Sequence, residues 1–126
     1  MTDRFDQSGG EDADASILPL GDVRLAKMPV AFQRSELDQI LRLYGRMVAA
    51  GEWRDYAIDH LPDRAVFSVY RRASEFALFR IVKDPALARR QGAFAVVATD
   101  GRIVKRGHEL DRVLAVFDRK LSLVKA

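Results

Sequence analysis

The chain has 126 residues, no cysteine, 48% apolar residues and a formal net charge of +3. That length fits one domain, and the apolar content supports a packed core. Missing cysteine removes disulfides, thiolate catalysis and thiolate-held zinc or iron–sulfur sites, and it suits a reducing compartment. No run approaches the ~18 apolar residues of a membrane span, and no signal-peptide pattern opens the chain. The expectation is a cytoplasmic protein that does not enter a membrane.

The small net charge conceals an asymmetry. Residues 1–20 carry Asp3, Asp6, Glu11, Asp12 and Asp14 against the single base Arg4. Between Arg64 and Arg106 there are ten bases against Glu75, Asp84 and Asp100. Residues 1–28 therefore read as a flexible acidic tail with too little to bury to offset its ordering entropy. Ile17-Leu18-Pro19-Leu20 is an apolar patch within it, suited to docking on the domain or on another protein. Residues 29–126 read as a single α+β domain.

In chain order, Val30-Ala31-Phe32 suggests a short edge strand, with Pro29 at its start where a missing N–H is tolerated. A helix follows over about 36–50. Ser35 and Asp38 resemble a capping box. Leu37, Ile40, Leu41, Tyr44, Met47 and Val48 supply a helical stripe. Gly51 is the expected left-handed stop, and Gly45 inside the helix suggests close approach of another backbone. The period then alternates, giving strands at Tyr56 to His60, Arg64 to Arg72 and about Glu75 to Lys83, with a turn at Leu61-Pro62-Asp63.

Asp84-Pro85 opens a short helical turn that Gly92 ends. Ala93 to Thr99 and Arg102 to Arg106 flank Asp100-Gly101, a two-residue hairpin signal. That hairpin pairs Thr99 with Arg102 and Val97 with Val104, and it directs Phe94, Val96, Ala98 and Ile103 to the core. A last helix at about 109–120 carries Leu110, Val113, Leu114, Phe117 and Leu121 on one face.

The sum is an α+β fold: an antiparallel meander of four to five strands with two main helices, in the order α-β-β-β-β-β-α. Apolar groups on both faces of the second and third strands call for a second cover, either the N-terminal segment or another subunit in a homodimer.

The strings LRLYGRMVAAGEWRDYAIDHLPDRAVFSVYRRASE, ARRQGAFAVV and VKRGHEL resemble a bacterial family of domains of unknown function, number twenty-seven ninety-four, over about residues 30–120. The resemblance implies a small bacterial protein. It brings no activity, cofactor or site residues with it.

Chemistry is sparsely signalled. His60 and His108 are far apart in sequence, Asp59 and His60 alternate sides in a strand, and no familiar metal-ligand spacing occurs, so no metal or cofactor is expected. His60 is expected to be a partly buried hydrogen-bonding residue. There is no nucleophile elbow, phosphate loop or dinucleotide motif, and no catalytic residue is named. Asp55 and Asp59 as an acid–base pair read better as a solvated edge.

The feature above background is basic. Tyr70, Arg71, Arg72, Arg80, Arg89, Arg90, Arg102, Lys105 and Arg106 form the candidate binding surface, with Lys83 and Phe76 among them in sequence. Two partners fit: an acidic protein anchored by arginine, or RNA or single-stranded DNA held by charge and stacking rings. Phosphate at Gly107-His108, ahead of a helix, is a further candidate, set against a glycine that merely permits a turn.

Overall fold

The computed structural model describes residues 28–72 and 76–118. The expected tail up to residue 27, its Ile17–Leu20 patch, the expected start of the third strand at Glu75 and the end of the last helix with Leu121 lie outside the described residues.

The first helix, α1, runs Arg34–Ala49, two residues earlier than the sequence suggested. Its cap is Gln33, whose backbone N–H donates to Glu36 Oε1 at 2.7 Å. Glu36 can serve because its side chain is long enough to reach back three residues, which the shorter Asp38 does less well. At the other end Gly51 takes φ +77. The N–H groups of Gly51 and Glu52 donate to the carbonyls of Val48 and Met47, the paired bonds of a Schellman stop.

The buried stripe is Ile40, Leu43 and Met47, flanked by Leu37, Leu41 and Tyr44. Leu43 was absent from the expected stripe, and Val48, which was included, is 42% exposed. The packed face is thus rotated toward position 43. Gly45 is exposed with open space around it, so the expected close backbone approach is not there.

Five strands follow: β1 (Asp55–His60), β2 (Ala65–Tyr70), β3 (Phe79–Lys83), β4 (Phe94–Ala98) and β5 (Ile103–Gly107). They form one sheet in that order, each neighbour antiparallel. This is the expected meander. The expected strand at Val30–Phe32 is instead irregular chain, joined by Val30 N–H to Leu61 O at 2.9 Å. Leu61 already belongs to the turn beyond β1, so the ladder cannot extend along it. β3 begins four residues later than expected, at Phe79.

After β3 a 3-10 turn at Pro85–Leu87 is capped by Asp84, whose carboxylate accepts from Ala86 N–H at 3.2 Å. The second helix, α2, spans Leu110–Leu114, and a further helical turn follows at 116–118.

Register sorts the side chains by face. Ile58, Phe67, Ile81 and Val96 form one row, and Val69, Phe79 and Ala98 another. All of these but Ala98 join Ile40, Leu43, Met47, Trp53, Leu110, Val113, Leu114 and Phe117 in one core. Trp53 and Phe117 meet edge to face at 5.1 Å, as do Phe79 and Phe117. Glu36 and Lys83 form a largely buried ion pair, 2.8 Å long, that ties the start of α1 to the end of β3. Lys83 also donates to Ala31 O at 3.0 Å.

The β4–β5 hairpin differs from expectation. Gly101 N–H donates to Ala98 O and Ala98 N–H to Arg102 O, so the loop is Thr99-Asp100-Gly101, with Gly101 at φ +90. This is a three-residue loop with a left-handed glycine. Near the loop Val97 pairs with Ile103, and the register shifts between Val96 and Val97 before Val96 pairs with Lys105. Ile103 consequently leaves the core face and is 49% exposed.

Candidate binding surface

A meander places connections alternately at two ends of the sheet, and this decides which arginines meet. Tyr70 ends β2 and Arg71 and Arg72 follow it, while Arg102 starts the return of the hairpin, so all four share one end. Arg89, Arg90 and Arg106 lie at the opposite end, beside the β3–β4 connection. Strands of five residues separate the ends by about 13–16 Å. Arg80, second in β3, stands near the first group and is half-buried. Lys105 is exposed on the edge strand and shares the helix-facing side with Val96. The nine residues therefore form two clusters rather than one.

At the first end the β2–β3 connection is bound to the hairpin loop. Thr99 Oγ1 lies 2.9 Å from both Ala77 O and Leu78 O. Leu78 N–H donates to Val69 O at 2.8 Å, which fixes the start of β3 against β2. From this anchored connection Phe76 projects with 84% of its surface exposed. Phe76, which falls among the basic residues in sequence, lies before the ladder begins at Phe79 and is turned outside.

The sheet face away from the helices joins this end. Row by row it carries Ala57, Ser68, Arg80, Val97 and Ile103, then Asp59, Val66, Val82, Ala95 and Arg106. Val66 and Ala95 are buried yet lie outside the core that both helices close. The centre of the face is thus apolar, with Arg80 inside it and acids only along the β1 edge at Asp55 and Asp59.

At the second end Arg89 and Arg90 are exposed, while Gly92, Arg106, Gly107 and His108 serve packing. Gly92 takes φ +108, and a side chain there would collide with the Gly107 carbonyl and approach His108 N to 2.7 Å. Arg106 donates from Nη1 to Gly92 O at 3.2 Å, while its buried Nε has no acceptor among the described residues. His108 Nδ1 lies 3.0 Å from Ala88 O. The glycines permit one backbone to lie against another. Phosphate at Gly107-His108 gains no support, because α2 has five residues and its cap residue is Glu109, paired with Arg112 at 3.1 Å.

Among the described residues no three of His, Asp and Glu converge as metal ligands. His60 is exposed at the end of edge strand β1, against the expected partial burial. Asp55 and Asp59 share a face but lie about 13 Å apart, too far to serve one bond. A cleft of about 150 Å³ between α1 and α2 is lined by Arg42, Arg46, Asp111 and Asp118, among others. It is small for an organic ligand, and Arg46 is engaged with Asp118 at 3.5 Å. Among the described residues no helix is long and apolar enough to cross a membrane.

No curated protein and no solved structure matches this chain. A family model does match, described as a protein of unknown function (DUF2794), over residues 30–114. That span covers most of the chain and all five strands, and on this match the chain belongs to the DUF2794 family.

Proposed function

We propose that this is a non-catalytic interaction protein, regulatory in kind, that holds an acidic protein partner. The contact surface is the end of the sheet bearing Tyr70, Arg71, Arg72 and Arg102, continued onto the outer face at Arg80, Val97 and Ile103. The observation that carries the reading is Phe76, an aromatic ring 84% exposed on a connection held in place by Thr99. A large ring left in water beside arginines is the composition of an interface anchor, since aromatic and Arg side chains dominate binding energy. An apolar centre between arginines fits a protein better than a polyanion.

The test titrates the full chain with acidic peptides containing aliphatic and aromatic residues, and in parallel with single-stranded RNA and DNA, at about 50 and about 200 mM salt. The expected result is peptide binding that weakens less than about tenfold across that range. Phe76→Ala and one of the arginine changes should each cost about 2 kcal/mol while the other arginines matter little. Tight oligonucleotide binding with a steep salt slope, near −3 for four phosphate contacts, would replace this reading with nucleic-acid binding.

A further inference from the structure

We infer that the acidic segment ahead of residue 28 docks Ile17-Leu18-Pro19-Leu20 on the outer face of the sheet, its carboxylates directed to Arg80 and Arg106, and so competes with an acidic protein for that face. The inference rests on the function proposed above and adds its regulation.

The face and the segment complement each other in apolar surface and in charge. The outer face offers Val82 and Val97, both half-buried, and Ile103, half exposed, none of them in the core that the helices close. Two cations stand on the same face without a carboxylate: among the described residues neither Arg80 nor Arg106 joins an ion pair, and Arg106 Nε has no acceptor. The segment supplies what is missing, an apolar run beside Glu11, Asp12 and Asp14. Asp55 and Asp59 make the β1 edge of this face acidic, so like-charge repulsion steers the carboxylates to the β3–β5 half.

Reach is sufficient. Val30 is bonded to Leu61 in the β1–β2 turn, so the segment leaves from a corner of the sheet. The residues between Leu20 and Met28 can span up to about 25 Å when extended, while five strands are about 19 Å across. A second copy of the chain fits the face less well. A twofold axis along β3, which would stack the two faces squarely, brings Arg80 over its own counterpart. The acidic segment meets the same arginine with opposite charge.

The test uses the full chain and exploits its lack of cysteine. Leu18→Cys is combined with Ile103→Cys on the outer face, and as a control with Val48→Cys, exposed on α1. Under mild oxidation at low micromolar concentration, the outer-face pair should close an intramolecular disulfide at least about tenfold faster than the control, as expected when docking raises effective concentration. Equal rates in both pairs overturn docking. Disulfides formed between chains instead of within one also overturn it, in favour of a second copy.

Competition is read separately by titrating an acidic peptide into the oxidised and reduced forms. The locked form should bind at least about tenfold more weakly, and the full-length triple variant Ile17→Asp, Leu18→Asp, Leu20→Asp more tightly than the parent. Equal binding by locked and reduced forms overturns competition. Selective disulfide closure with no peptide binding even by the triple variant sinks the proposed function alone and leaves the docking intact.

Discussion

Gly92 and Gly45 look alike in the sequence, and the structure gives them opposite roles. Gly92 combines a left-handed backbone with contact against Gly107, so Gly92→Ala meets both strain and overlap. A loss of about 3 kcal/mol is expected from the two together, read as a lowered midpoint in urea. Gly45→Ala faces open space on an exposed helix position and should gain about 1 kcal/mol in the same measurement. Neither sign was legible beforehand, because a glycine reports only that some constraint is absent, and what surrounds it is decided by distant segments. Phe76 poses the same difficulty: a ring in an alternating stretch reads as core until the ladder is known to start at Phe79. Tyr44 shows a further residue-scale effect. Burial, and then the negative charge of Asp55, raise its phenol above the ordinary value, and its hydroxyl donates to Arg54 O at 2.6 Å. A phenol raised on folding contributes stability that is present below its unfolded pKa and lost as pH rises through the folded one. Tyr44→Phe should remove about 1 kcal/mol at neutral pH and flatten the alkaline limb of the stability curve.

Elements were more legible than their edges. The order α-β-β-β-β-β-α, both helices and all five strands follow from periodicity and turn residues, because hydrophobic period is set locally. What periodicity missed is register around Gly101. Asp-Gly suits a two-residue hairpin and equally a three-residue loop ending in a left-handed glycine, and only the second turns Ile103 outward. The cap of α1 shifted for a related reason, since Glu36 is engaged by both Gln33 N–H and Lys83 Nζ. That pairing predicts a contrast between two ion pairs. Lys83→Ala leaves Glu36 largely buried and unpaired and should cost about 2–3 kcal/mol. Arg64→Ala breaks the exposed contact with Asp63 at 3.2 Å and should stay within about 0.5 kcal/mol. Denaturant midpoints of the two variants against the parent check both values.

Over the whole molecule, the sheet divides two tasks between its faces. One face closes the core under α1 and α2, and the other presents valines, Ile103 and two arginines beside the end that carries Phe76, Arg71, Arg72 and Arg102. The basic residues were visible as a sequence cluster, but their split between two ends follows from strand direction, which composition does not contain. The proposed acidic partner is held at the Phe76 end and on the outer face. The most direct measurement is a residue-resolved NMR titration of the isotope-labelled full chain with an acidic, apolar-containing peptide. Amide shifts concentrated at Tyr70–Arg72, Phe76–Arg80 and Val97–Ile103 are the predicted result. Shifts gathered instead in the α1–α2 cleft around Arg42 and Asp111, or at Arg89, Arg90 and Lys105, would contradict it.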